Sequence, residues 1–218
     1  MSGYDGLAFC AHQDTQLGGE LIKWPLAEIS WGVIDYLPGL SHEAYARCIA
    51  DCFANWAKVC GIRPRQAEVG ERPNIAFTLQ TERPGGVLAD CQLPVQATRS
   101  TQLICRVDQA DKWCVASGLL PPTHPLIDAG RTLTHELGHG LGISHLAAGN
   151  LMAPTYSVRV WLPQAGDIVE AQARYGPPLP DVPTASQAGA DDWQAVASIL
   201  RKGSDVKIRA VDGREFTL

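Results

Sequence analysis

The sequence contains no apolar run of the roughly 18 residues that a membrane-spanning helix needs. Its first 16 residues include no lysine or arginine and no apolar stretch as long as that of a secretory signal peptide. Basic residues are in the minority, with 18 Lys and Arg against 23 Asp and Glu and a formal net charge of −5. These absences predict a chain without a membrane span, without a signal peptide of its own and without the basic surface that nucleic acid requires.

The sequence also lacks any C-x-x-C pair, which argues against a zinc ribbon and against a thioredoxin-type redox site. Its seven cysteines are an odd number, so they cannot all pair in disulfides within the chain. Cys48 and Cys52 lie four apart in a helical pattern and are predicted to be small core residues. Cys91, Cys105 and Cys114 fall in a strand-rich region where one bridge is possible and its pairing is open.

Hydrophobic residues make up 45% of the 218 residues, a value typical of a globular chain with a buried core. The weak periodicity of residues 1–25 predicts an N-terminal arm, and residues 26–178 contain the regular elements of one domain. Residues 179–190 hold two prolines among small residues and are predicted to be a linker. Residues 191–218 are predicted to form a small helix and a β-hairpin that turns at Asp212-Gly213.

The spacing of apolar residues predicts the elements of the main domain. Strands are expected over 28–36, 66–69, 75–79, 87–91 and 103–107. Helices are expected from the N-cap Ser41 to about Gly61, over 126–140 and over 167–175.

Three of the six histidines lie within eleven residues, in the pattern His-Glu-x-x-His-x-x-Gly-x-x-His. His135 and His139 are four apart on a helix, so their rings project from the same face and can share one metal ion. Glu136 is the next residue round the helix, within reach of a water on that metal without being a ligand. Gly142 can adopt a positive φ, which lets the chain turn and bring His145 back as third ligand. Three neutral imidazoles with an open fourth position are typical of a catalytic zinc site.

The same pattern, with Met152 seven residues after His145, resembles the zinc-binding motif and methionine turn of the metzincin metallopeptidases. More of the chain resembles their matrixin branch, the matrix-metalloproteinase-like enzymes. The resemblance covers roughly residues 26–177 and rests on the segments 29–33, 38–41, 85–89, 108–113, 151–156 and 167–176. It implies an α+β metzincin catalytic domain, with a mostly parallel, five-stranded twisted sheet and three helices, to which the sequence adds the C-terminal helix and hairpin.

The resemblance implies a zinc-dependent endopeptidase, a hydrolase that cleaves a polypeptide substrate and carries one catalytic zinc ion. His135, His139 and His145 are the expected ligands, and Glu136 is the expected general base for a metal-activated water. Met152 is expected to form an apolar floor beneath the histidines. The resemblance suggests a secreted or extracellular protein, although no signal peptide is recognisable in this chain, and it leaves the oligomeric state open.

Two other functions stay open at this point. A zinc-binding interaction or structural protein of a larger assembly would explain the C-terminal unit, but a pure binding module has no role for the base Glu136. A self-processing maturation protease would cleave its own N-terminal arm. Cys10 in that arm is a candidate to reach the zinc and hold the enzyme latent, although the residues around it do not match the family's switch motif.

The resemblance also implies where a substrate would lie. Pro154 and Tyr156 are expected to line the pocket for the residue just after the scissile bond, with a preference for a medium or large apolar side chain there. An extended substrate is expected to add as a strand along Val87, Leu88 and Ala89, because an exposed sheet edge offers unpaired backbone groups.

One departure from the family concerns the second, structural zinc that matrixins usually hold. Alignment places Asp90 and Arg106 at two of its ligand positions, and arginine is permanently cationic and cannot bind zinc. The chain is therefore expected to hold one zinc, with an ion pair between Asp90 and Arg106 where the second would be. Calcium binding stays possible nearby, through the acidic residues Glu82, Asp108 and Asp111.

Overall fold

The computed structural model describes residues 21–81, 87–116, 124–157, 159–180, 207–209 and 215–217. The chain divides into two compact units, Met1–Leu179 and Pro180–Leu218. No helix among the described residues is long and apolar enough to cross a membrane. The N-terminal arm up to residue 20 with Cys10, the candidate calcium ligand Glu82 and the helix expected near residues 192–201 lie outside the described residues.

The first unit is built on one five-stranded sheet. Its strands are β1 Glu28–Val33, β2 Arg63–Gln66, β3 Ile75–Gln80, β4 Ala89–Cys91 and β5 Leu103–Asp108. They lie in the order β2-β1-β3-β5-β4, and every neighbouring pair is parallel except β4 with β5. The mostly parallel five-stranded sheet is therefore confirmed, with β4 as its antiparallel edge.

Three helices accompany this sheet: α1 His42–Ala57, α2 Ala129–Gly140 and α3 Ala165–Tyr175. The predicted N-cap Ser41 is confirmed, since its side chain accepts a hydrogen bond from the backbone N–H of Ala44. Two short strands, β6 Trp113–Cys114 and β7 Ile127–Asp128, pair in parallel before α2. In the second unit β8 Lys207–Arg209 and β9 Glu215–Thr217 form the antiparallel pair that the Asp212-Gly213 turn predicted.

Several element boundaries differ from the expected ones. Strand β2 ends at Gln66 because the chain turns at once, with the Glu71 N–H donating to the Glu68 carbonyl and Gly70 at φ 85°. The residues expected to form a strand over 66–69 are mainly that turn. Helix α2 begins at Ala129 and not at 126, because Asp128 pairs within β7 and caps the helix through the N–H of Gly130. Strand β4 is shorter than expected and starts at Ala89.

The core lies where α1 and α2 pack against each other and against the sheet. Phe53 of α1 stacks on Trp31 of β1 at 6.0 Å and meets Phe77 of β3 edge-on at 6.5 Å. Cys48 and Cys52 are buried in this interface, as predicted. The six cysteines within the described residues are all free thiols. Because nearly every residue of α2 is buried, the helix that carries the histidine motif is held rigidly by the core.

Candidate metal centre

The three histidines of the motif meet at one point. His135 and His139 project from α2, and His145 follows it after a turn. One nitrogen from each ring lies within 4.8 Å of the others, and the ring centroids are 4.8 to 5.6 Å apart. His135 and His139 are fully buried and His145 is half-buried. The geometry is that of three ligands that approach one ion from three sides and leave a side open.

Two backbone carbonyls orient the buried rings. Nδ1 of His135 lies 2.7 Å from the carbonyl oxygen of Leu151, and Nδ1 of His139 lies 2.8 Å from that of Ile143. A carbonyl oxygen can only accept a hydrogen bond, so Nδ1 carries the proton and the ring's lone pair is on Nε2. Neutral imidazoles oriented in this way are the donors that zinc prefers, so these residues fit a zinc ion.

The turn that brings His145 back depends on Gly142, as predicted. Gly142 has a φ of 90°, a conformation that residues with a side chain rarely adopt. A Cβ at this position would also lie only 2.1 Å from the carbonyl oxygen of Ile22. Glycine is therefore required here both for its backbone conformation and for the close approach of a neighbouring segment.

The methionine turn lies directly under α2, which carries His135 and His139 and which we call the metal helix. Met152 is completely buried, and a Cβ at Gly138 of α2 would lie 2.2 Å from its Sδ. Asp167 at the start of α3 holds this turn, because its Oδ2 and Oδ1 accept hydrogen bonds from the N–H groups of Leu151 at 2.7 Å and Met152 at 3.0 Å. The sequence reasoning missed this role of Asp167, which connects residues 15 and 16 positions apart without a local pattern.

A segment before the sheet braces the turn between the second and third histidines from outside. The indole N–H of Trp24 donates to the Gly140 carbonyl at 2.8 Å, and Trp24 is almost fully buried. Arg174 of α3 donates from Nε to the carbonyls of Ile22 at 3.1 Å and Gly142 at 3.0 Å. The chain between the second and third histidines is thus fixed by Arg174 of α3 and by Trp24, which the sequence analysis left in the N-terminal arm.

The sequence model of the matrixin family matches residues 23–176, from this bracing segment to the end of α3. The chain belongs to the matrixin family. It is 29% identical to human neutrophil collagenase over 167 residues and 30% identical to pig interstitial collagenase over 168 residues. Each alignment covers 71% of this chain and 33% of the relative. An extracellular metalloprotease of the fungus Pyricularia oryzae is 30% identical over 99 residues, which are 44% of this chain.

This matrixin spans about a third of the length of those relatives. Family membership assigns its first unit to the zinc metalloendopeptidases, which are hydrolases. The three-histidine cluster, on a helix that the family match includes, supports zinc binding.

The residues expected to border a substrate differ in exposure. Val87, Leu88 and Ala89 are all buried, and Ala89 begins the edge strand β4. A substrate strand would therefore meet backbone groups at this edge and not these side chains. Pro154 is exposed on the chain that follows the methionine turn.

Tyr156 is a buried residue of the domain and not a surface loop aromatic. Its hydroxyl accepts a hydrogen bond from the Asp128 N–H at 3.4 Å, and the guanidinium carbon of Arg131 lies 5.0 Å from its ring centroid. Arg131, on α2 one turn before His135, is itself buried and donates to the Ser157 carbonyl. Burial raises the pKa of both the Tyr156 phenol and the Asp128 carboxyl. This set of contacts fastens the segment after the methionine turn to the metal helix.

The predicted ion pair between β4 and β5 is confirmed. Asp90 and Arg106 are directly opposite in the ladder, with Nη2 of Arg106 3.5 Å from Oδ2 of Asp90. Nearby, Asp108 is buried and its Oδ1 accepts from the Ala110 N–H at 2.8 Å. Burial, and then the charge of Asp108, raises the pKa of the Asp111 carboxyl. Two of the three acidic residues considered for calcium are thus close enough to influence each other.

Proposed function

We propose that this matrixin is an endopeptidase that hydrolyses polypeptides with one zinc ion, held by His135, His139 and His145. The observation that carries the proposal is the convergence of three imidazoles, two of them oriented by backbone carbonyls so that Nε2 is the donor. The methionine turn supports the same ligand set, because the Leu151 carbonyl that orients His135 belongs to it.

The proposed general base is Glu136, which is fully buried in α2 between the first two histidines. When bound, zinc supplies Lewis acidity that lowers the pKa of a water and polarises the scissile carbonyl. Glu136 takes the proton of the attacking water and passes it to the leaving amine nitrogen. Its place on a rigid, buried helix fixes this carboxylate relative to the histidines, which is the preorganisation that proton transfer needs.

The substrate is proposed to lie extended along the backbone of Val87, Leu88 and Ala89, where the edge strand β4 begins. Pro154 and Tyr156 are proposed to border the pocket for the residue after the scissile bond, and a medium or large apolar side chain such as Leu or Met is expected there. The buried ring of Tyr156 supports an apolar wall. Cleavage of a peptide library that was dominated by charged residues at this position would contradict the pocket.

The extracellular fungal relative supports an extracellular site of action for this protein too.

The decisive experiment compares Glu136→Gln with His139→Ala on the full chain. We expect Glu136→Gln to lower peptide release from a denatured protein by about 10²–10⁴-fold while one zinc per chain is retained. His139→Ala should lose both zinc and activity, because it removes a ligand. Glu43→Gln is the matched control, since Glu43 is an exposed glutamate of α1, and it should change neither quantity. Near-normal turnover in Glu136→Gln would contradict the mechanism.

The same assay separates the alternatives. A non-catalytic zinc protein would bind zinc and release no peptides, and a purely self-processing protease would shorten only its own chain.

Elemental analysis should give one zinc per chain, because Arg106 occupies a position where a ligand of the second zinc would be needed. Two tightly held zinc ions would contradict that expectation. Calcium at Asp108, Asp111 and Glu82 is a further proposal, and a rise in the melting temperature with added calcium, lost in Asp111→Asn, would support it.

A further inference from the structure

Two cysteines face each other across the edge of the sheet. Cys91 of β4 and Cys105 of β5 are direct partners in the antiparallel ladder. The next pair along the ladder is hydrogen-bonded, with the Gln92 N–H donating to the Ile104 carbonyl at 3.2 Å. Because bonded and non-bonded pairs alternate in an antiparallel ladder, Cys91 and Cys105 are a non-hydrogen-bonded pair. The Cα atoms of such pairs are about 4.5 Å apart, inside the range of about 4.4–6.8 Å that disulfides span.

The two side chains lie on the same, inner face of the sheet. Both are buried, and the Cys91 thiol is close enough to contribute to the raised pKa of the Cys105 thiol. Cys91 also touches the metal helix, since a Cβ at Gly140 would lie 3.0 Å from its Sγ. The two side chains therefore face each other on a part of the sheet that packs on α2.

Three other buried cysteines of the core differ from this pair in geometry. Cys48 and Cys52 interact with each other but lie one turn apart on α1. Residues four apart on a helix have Cβ atoms about 5–6 Å apart, whereas a disulfide needs about 3.5–4.5 Å. The Cys60 thiol, just after α1, donates to the carbonyl of Trp56. These three cysteines serve as internal controls for thiols that are buried but unsuited to pairing.

We propose that Cys91 and Cys105 are a site of covalent modification, forming a cross-strand disulfide when the protein meets an oxidising small-molecule disulfide such as oxidised glutathione. One protein thiolate attacks a sulfur of oxidised glutathione, which releases one glutathione thiol and leaves a mixed disulfide. The second protein thiolate attacks the protein sulfur of that mixed disulfide and releases the second glutathione. The pair loses two protons and two electrons, and the oxidised glutathione gains them as two thiols.

The position of β4 provides the route for this reaction. Strand β4 is three residues long and lies at the sheet edge, so local opening of this strand exposes both thiols without unfolding the core. Burial, and then the Cys91 thiol, raises the pKa of the Cys105 thiol well above its usual range, so the closed form reacts slowly. Once formed, the bond fastens to β5 the strand that would align a substrate. The disulfide itself does not depend on the proposed peptidase activity.

The test maps the bond in the full-length chain. Reduced protein is incubated with a glutathione redox buffer, remaining thiols are alkylated, and the chain is digested with trypsin. Cleavage after Arg65, Arg99 and Arg106 places Cys91 alone in peptide 66–99 and Cys105 alone in peptide 100–106. We expect these two peptides to be joined, and to separate on reduction. Alkylation of both cysteines, a glutathione adduct without a link, or a link from either one to another cysteine would overturn the proposal.

Variants make the result specific. Cys91→Ala and Cys105→Ala should each lose the linked peptide, and Cys60→Ala should keep it, because the Cys60 thiol bonds to the Trp56 carbonyl. Circular dichroism of each variant shows whether it is folded, and the mapping in the wild-type chain stands without them. Addition of urea below the unfolding transition should speed formation of the link several-fold, since it populates the opened β4. A link that formed only after complete unfolding would contradict the proposed route.

Discussion

Two polar clusters in this matrixin have hydrogen bonds of nearly equal length, but one is buried and the other is exposed to solvent. In the first, which we call the turn clamp, Asp167 accepts from the backbone N–H groups of Leu151, Met152 and Gln164 at 2.7, 3.0 and 2.7 Å. In the second, the β2 edge cluster, Arg65 donates to Glu28 at 2.9 Å and to the two carboxylate oxygens of Glu71 at 2.7 and 2.6 Å. Asp167 is 0% exposed, whereas 41% of the Arg65 side chain is exposed.

The difference in exposure decides what each cluster contributes. The Leu151 and Met152 amides of the turn clamp lie where water cannot replace Asp167, so loss of the carboxylate leaves two buried donors without a partner. Both partners of the edge cluster can return to water and are screened by salt, so their loss costs little. Hydrogen-bond length alone therefore does not rank the two clusters.

The largest expected effect comes from Asp167→Ala. The two buried N–H groups, of Leu151 and Met152, would lose their acceptor at about 1–3 kcal/mol each, so we expect the free energy of unfolding to fall by about 2–6 kcal/mol. Zinc affinity should fall as well, because the Leu151 carbonyl that orients His135 belongs to the released turn. Urea denaturation and competition with a chelator measure the two effects. Asp51→Asn, at an exposed aspartate of α1, is the control, and equal effects of both variants would refute the comparison.

A smaller effect is expected where the clamped turn meets the metal helix. In Gly138→Ala the new methyl group would meet Met152 at 2.2 Å, and we expect a loss of about 2 kcal/mol from overpacking. The matched control is Gly130→Ala in the same helix, where the nearest atoms would lie at 3.4 and 3.6 Å. That variant should be neutral or more stable by up to about 1 kcal/mol. Thermal unfolding of the pair checks this, and equal melting temperatures would show that Met152 yields freely.

The smallest effect is expected at the β2 edge cluster. Hydrogen bonds from Arg65, and then from the Glu68 N–H, lower the pKa of the Glu71 carboxyl to about 2. A lowered pKa in the folded state means that the stabilisation is present above the unfolded-state value and is lost as the pH falls towards 2. The stability difference between wild type and Glu71→Gln should therefore be small above pH 5, shrink on acidification and diminish in high salt. A difference that grew on acidification would reverse our interpretation.

What the sequence predicted well depends on short-range patterns. The ligand spacing of His135 and His139 is set by one turn of helix, and the return of His145 is set by the glycine three residues after His139. The cap at Ser41 is likewise a local signal. The ion pair of Asp90 with Arg106 was predictable through the family alignment. The alignment places both residues at positions that bind one zinc ion in relatives, and such positions must lie close together.

The contacts that the sequence did not predict join distant segments. Packing specifies each of these contacts, and no periodicity in the sequence marks them. They join Asp167 to the methionine turn, Trp24 to Gly140, and Arg131 to Tyr156. The position of β2 was wrong because Val69 was taken for a strand residue, whereas it is fully exposed in the turn that follows β2. Apolar character alone did not separate strand from turn at this edge.

The bracing of the histidine turn has a consequence for the order of events during protein synthesis. The backbone N–H of Trp24 donates to the hydroxyl of Tyr175, a residue made 151 positions later, and Asp167 and Arg174 belong to the same late helix. During synthesis, the histidines are therefore made before Asp167 and Arg174, and the turns around them gain their clamp and brace only once α3 has been made.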